Sequence, residues 1–149
     1  ECHCSSIQIK NYLSKMSGPL LDRIDIQLEV PCLKVGEITD KRLGEPSLAI
    51  RARVENARMR QRERFRSEKI SCNAELESKD VVKHCVATEE AEGLLKMAIQ
   101  ELGFSARAYH KALKVARTIA DLEGVDGITE AHVSESIHYR ALDRNVWFR

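Results

Sequence analysis

From residue 47 onward, inward-facing positions recur at helical spacing, and residues that start or stop helices bracket each run. Ile50, Val54, Ala57, Gln61 and Phe65 stand four, three, four and four apart, which predicts a helix from Ser47 to about residue 66. Residues 67–77 are polar and read as a loop. Ser78 caps a short helix to about Cys85, with Val81, Val82 and Cys85 inward. Thr88 caps the next, followed by Glu89, Glu90 and Glu92, which suit the positive end of a helix. Its stripe is Ala91, Leu94, Leu95, Ala98 and Leu102, and Gly103 fits the position just past its end. Ser105 opens a helix to about Glu123, with Tyr109, Ala112, Leu113, Ala116, Ile119 and Ala120 inward and Gly124 as the stop. Thr129 opens the last, in which Val133, Ile137 and Ala141 share a face.

The pattern before residue 47 is different. Residues 5–16 carry Ile7, Tyr12, Leu13 and Met16 roughly on one side of a helix. Gly18-Pro19 signals a tight turn. Ile24, Ile26, Leu28 and Val30 then alternate with Asp25, Gln27 and Glu29, the period of a strand with one buried face. Pro31 ends it, having no N–H for a ladder. Pro31, Gly36, Gly44 and Pro46 mark a connector over 31–46. The expected architecture is mainly α: a small helical bundle over 47–149, preceded over 1–46 by a helix, a turn, a single strand and a linker. That strand has no partner in the chain, and a lone strand is unstable in water. Residues 1–35 are therefore expected to lie on the bundle or to pair with another copy.

Composition narrows the class. In 149 residues, 43% are hydrophobic, 32% charged and 5% aromatic, as in a helical domain packed by Leu, Ile, Val and Ala. No run approaches the ~18 to 20 apolar residues of a membrane span, and no charged-then-apolar signal segment appears in these residues; the expected location, which rests on the thiols described next, is the cytoplasm. Cysteines at 2, 4, 32, 72 and 85 form an odd, uneven set that suits reduced thiols rather than a disulfide framework. The net charge of +1 leaves any basic surface local. The strongest such stretch is 51–69, with eight Lys or Arg against three Glu. Arg58, Arg62 and Arg66 are its candidates for contact with DNA phosphates or a neighbouring subunit, the alternative being a solvated helix face. With little aromatic interleaving beyond Phe65, a base-stacking groove is not expected.

Two further arginines stand where an anion is easily met. Arg23 lies between the Gly-Pro turn and the strand; the alternative is a solvated arginine paired with Asp22 or Asp25. Arg107 falls in the first turn of its helix, beside exposed N–H groups and the positive dipole end; the alternative is pairing with a nearby Glu. Arg117 and Asp121, four apart, read as a structural pair. Tyr139-Arg140 reads as packing plus a surface contact. Cys2-x-Cys4 is half of a four-thiolate zinc site at most.

The segment Ser17-Gly18-Pro19-Leu20-Leu21-Asp22-Arg23-Ile24-Asp25 resembles the corresponding element of ComM/YifB-type proteins, the Mg-chelatase-like branch of the AAA+ ATPases. It is also similar to the LLDRF element of Mg-chelatase ATPase subunits and the SRFD element of MCM helicases. Leu102 to His110 and Ala116-Arg117-Thr118-Ile119-Ala120-Asp121-Leu122 extend the match, together with Cys2, Cys4, Gln61, Arg64, Asn73, His132 and Tyr139-Arg140. The resemblance implies that Arg23 is an arginine finger reaching a neighbouring subunit's nucleotide, and Arg107 the sensor-2 arginine that reads the γ-phosphate. It implies an ATP- and Mg²⁺-dependent hexameric motor acting on DNA, with branch migration during uptake of foreign DNA as the associated process. Metal insertion into a porphyrin, driven by a similar module, is the alternative, and a stand-alone DNA-binding bundle a third. The chain has no G-x-x-x-x-G-K-[ST] phosphate loop. It is therefore expected to be the C-terminal lid of a longer ATPase, inactive alone and with no cofactor bound, working with its own N-terminal core and neighbouring subunits. Zn²⁺ at Cys2 and Cys4 would need thiols from an upstream Cys-Pro-Cys-Gly element.

Overall fold

A computed structural model describes residues 3–33, 36 and 43–140. It is mainly helical, and no β-ladder occurs among the described residues beyond an isolated parallel bridge between Ala87 and Ile128. Among the described residues the helices with defined bounds are α1 (Ser6–Leu13), α2 (Gly18–Leu21), α3 (Ser47–Arg64), α4 (Ser78–His84), α5 (Glu89–Leu102), α6 (Ala106–Glu123) and α7 (Glu130–His138), with a 3₁₀ turn at Asn73–Glu75. The connector positions 34, 35 and 37–42 lie outside the described residues, as do Ala141 and the rest of the C-terminal stretch.

The bundle is built around α6. It packs on α3, α4, α7 and the 3₁₀ turn, while α5 packs on α7. Ala108, Ala112, Ala116 and Ala120 give α6 a face of small side chains, all 1% exposed or less. Ala91 and Ala98 do the same for α5. Phe65, Leu76, Val81, Leu95, Phe104, Leu113, Ile128 and Val133 fill the space between these backbones. Local chemistry sets the boundaries. Thr88 Oγ1 accepts from the Ala91 N–H, and Ser105 Oγ from the Ala108 N–H. Gly103 (φ 70°) and Gly124 (φ 87°) end α5 and α6 in the left-handed region, where a side chain is strained. The bridge, with Thr88 N–H donating to Ile128 O at 2.9 Å, ties the entry of α5 to the entry of α7.

Several expectations need correcting. Helix α3 stops at Arg64, and its inward stripe is buried only from Ala57 on; Ile50 and Val54 are 42% and 46% exposed because no described element covers the first turns. Helix α4 is capped by Glu77 in a box with Asp80 rather than by Ser78, and Val82 faces solvent. Gly18-Pro19 begins a one-turn helix, not a tight turn, since proline is tolerated where the N–H has no helical partner. Residues 24–30 form no strand. With no partner for a ladder, Ile24, Ile26, Leu28 and Val30 stay exposed, and the polar Gln27 is the buried residue. The segment is held on the bundle instead: Gln27 N–H donates to Tyr139 O at 2.7 Å, and Arg140 Nη1 to Ile24 O at 2.8 Å.

Candidate functional site

The N-terminus of α6 meets the segment that follows α2. Ser105 caps α6 and its hydroxyl also donates to Asp22 Oδ2 at 2.9 Å. Two residues on, Arg107 projects from the first turn and is exposed. Arg23 directly follows Asp22 and is also exposed. The two carboxylates that flank Arg23 in sequence are engaged elsewhere, Asp22 with Ser105 and Asp25 in an ion pair with Lys111. Among the described residues neither the Arg23 nor the Arg107 side chain forms an ion pair or hydrogen bond.

Both arginines line one cleft of about 630 Å³, together with Ser78, His110, Lys111 and Lys114. Its floor is apolar, from Leu76, Val81 and Ala106. Glu77 is the single acidic side chain in the lining, and it is engaged in the α4 cap and 3.4 Å from Lys79. The Lys114 ammonium donates to Ala74 O at 3.1 Å, and His110 Nδ1 lies 3.3 Å from Ser78 Oγ. Four cationic side chains, of which Lys111 is already paired with Asp25, thus stand over an apolar floor at the positive end of an 18-residue helix, an arrangement whose charge is complementary to an anion. Guanidinium groups can each fork onto two phosphate oxygens. Lys111 and Lys114 follow Arg107 at four and seven residues, a helical spacing by which the sequence itself places the three on one face of α6.

The other matched polar residues are structural. Asp121, 1% exposed, is the hub of a buried network. It accepts both Arg64 Nη groups, Asn73 Nδ2 at 2.8 Å and, on the same helix, Arg117 Nη2 at 3.1 Å. Asn73 Nδ2 also reaches Thr118 Oγ1 at 3.0 Å, and Arg117 donates to the carbonyls of Val125 and Asp126. Burial works against the Asp121 charge, but hydrogen bonds from Arg64 and Asn73 and the charges of Arg117 and Arg64 outweigh it, so its pKa falls below the ordinary value. Burial draws Arg117 down, opposed by Asp121. The Arg117–Asp121 pairing is thus part of a core network.

Much of the basic run is engaged within the chain: Arg53 with Glu45, Arg60 with Asp126, Arg64 with Asp121, and Arg66 with Glu63 at 3.7 Å. Arg58 turns onto Gln61 Oε1 at 3.2 Å, Arg62 is exposed on α3, and Arg66 lies beyond the end of that helix. The three do not form one uninterrupted helical row. Cys2 lies outside the described residues and Cys4 is exposed. Among the described residues no group of three His, Cys, Asp or Glu side chains is placed to hold a metal, and two thiols alone do not make a structural zinc site. Nor is any described helix long and apolar enough to cross a membrane.

Comparison with known proteins gives these features a context. A family model described as magnesium chelatase, subunit ChlI C-terminal, matches residues 44–140, and one described as magnesium chelatase, subunit ChlI, matches residues 1–38. The chain is 44% identical over 139 residues to the competence protein ComM of Haemophilus influenzae, covering 92% of this chain and 26% of that protein. It is 40% identical over 142 residues to the protein YifB of Salmonella typhimurium, covering 95% and 27%, and 39% identical to YifB of Escherichia coli. The chain spans about a quarter of the length of these curated relatives.

Proposed function

This chain belongs to the magnesium chelatase subunit ChlI C-terminal family, as a ComM/YifB-type piece, and from that premise we propose that it is the helical lid module of an ATP-dependent AAA+ motor. In this reading residues 1–46 complete the ATPase core and 47–149 form the lid. One observation carries it: Arg23 and Arg107, far apart in sequence, are both exposed, both without an ion pair among the described residues, and both line one cationic cleft. Arginines kept clear of internal carboxylates are available to a ligand.

Arg23 acts as the finger whose charge stabilises the departing γ-phosphoryl, and Arg107 grips the γ-phosphate from the helix end. The main nucleotide pocket and its Mg²⁺ are supplied by residues outside the chain, since no phosphate loop occurs within it. The motor works as a ring, a hexamer by family analogy, in the cytoplasm, and couples hydrolysis to remodelling of DNA. The family's description, magnesium chelatase, favours a second reading in which the module drives metal into a porphyrin. The stand-alone DNA-binding reading loses support because much of the 51–69 run is engaged within the chain.

The test uses the longer protein that carries this chain. Arg107→Ala is expected to lower ATP turnover by at least ~10²-fold, the effect of removing a transition-state donor, and DNA is expected to raise wild-type turnover. Undiminished turnover in Arg107→Ala contradicts the phosphate role. Turnover indifferent to DNA but coupled to metal insertion into a porphyrin transfers the reading to the second class.

A further inference from the structure

The turn bearing Arg23 and the helix bearing Arg107 come from distant parts of the chain, and Asp22 and Ser105, which join them, are 83 residues apart. Two of the joining contacts are exposed, Asp22 with Ser105 and Asp25 with Lys111, and the latter is the kind of surface pair that contributes little. Arg140 is different. It follows the end of α7 and is 1% exposed. Its Nη1 donates to Ile24 O at 2.8 Å, one residue past Arg23. Its guanidinium carbon lies 5.8 Å from the centre of the Phe104 ring, the residue before the Ser105 cap. Its Nη2 stands 4.0 Å from Asp22 Oδ1. A single buried cation therefore touches the finger turn on one side and the entry of α6 on the other. A guanidinium is suited to this, since its face lies on a ring while its edge donates; an ammonium offers only a point charge.

We propose that Arg140 is a positioning residue that locks the Arg23 turn onto the N-terminus of α6, so that Arg23 and Arg107 meet one polyphosphate as a preformed pair. The inference rests on the reading above that both arginines bind phosphate. Preorganisation of this kind strengthens binding by sparing the ligand the cost of ordering the segment.

The test measures binding of inorganic triphosphate to the 149-residue chain by calorimetry. Arg23→Ala, Arg107→Ala and the double variant are compared with Arg140 intact and with Arg140→Lys. With Arg140 intact, each single change is expected to weaken binding about tenfold, as for a lost charge-assisted hydrogen bond, and the double variant to lose little more, since the pair acts as a unit. With Arg140→Lys, triphosphate binds several-fold more weakly, Arg23→Ala changes affinity less than about twofold, and Arg107→Ala keeps most of its effect. Hydrogen exchange supplies the readout that a merely structural role would not give. Amides of residues 22–27 exchange faster in Arg140→Lys while α5 and α6 keep their protection. If the lysine variant unfolds, Phe104→Leu removes the ring at similar apolar bulk, and the same local loosening is expected. An Arg23→Ala effect of equal size in both backgrounds, with residues 22–27 equally protected, overturns the positioning role while leaving the phosphate reading intact. If neither arginine matters to triphosphate binding with Arg140 intact, the underlying reading fails, and this inference with it.

Discussion

Asp121 shows how much of the fold rests on single charges. Its carboxylate is buried between Arg64 and Arg117 and also accepts from Asn73. Replacing Asp121 with Asn should cost about 3–5 kcal/mol, because it leaves buried cationic charge uncompensated; denaturant unfolding measures it. The pH dependence follows from the same partners. The folded pKa lies below the ordinary carboxylate value, so the Asp121 contribution is complete above about pH 4 and is lost as pH falls through the folded value. The unfolding midpoint should therefore drop below about pH 4, and this acid limb should be shallower in Asp121→Asn. The four-residue spacing made the Arg117–Asp121 half of the network legible in sequence. Arg64 and Asn73 were not, lying 57 and 48 residues from Asp121 and reaching it only through the packing of α3 and the 3₁₀ turn on α6.

Helices α5, α6 and α7 were read nearly as they stand, since caps and stop glycines act within a few residues of the boundaries they set. Helix α3 was not. Its four-three-four-four spacing is genuine, but periodicity gives a face without saying how far along the helix a neighbour extends. Val54, exposed on α3, should tolerate Ala within about 0.5 kcal/mol, whereas Phe65→Ala, at the covered end, should cost about 3–5 kcal/mol. Thermal or urea unfolding of the two variants separates these cases. Cys85, at the end of α4, is buried, and burial pushes its thiol up to about 11. A thiol reagent at neutral pH should modify the exposed Cys4 and Cys32 in the folded chain and reach Cys85 only on unfolding; peptide mapping after labelling reads this directly.

At the scale of the molecule, the bundle presents a cationic cleft whose two arginines come from separate segments. The sequence marked Arg23 and Arg107 individually. It did not place them together, because the segment at 24–30 read as a strand in search of a sheet. The contact that docks it, from Arg140 to the Ile24 carbonyl, spans 116 residues and leaves no periodic trace. Docking brings Arg23 to the entry of the helix that bears Arg107, and a ligand shared by the two is the simplest use of that arrangement. The most direct measurement is ATP turnover alongside ATP affinity for Arg23→Ala in the longer protein. Turnover reduced by about 10³-fold or more, well beyond the roughly tenfold loss of affinity expected for one lost phosphate contact, is the predicted result; turnover equal to that of the unaltered protein would contradict the account.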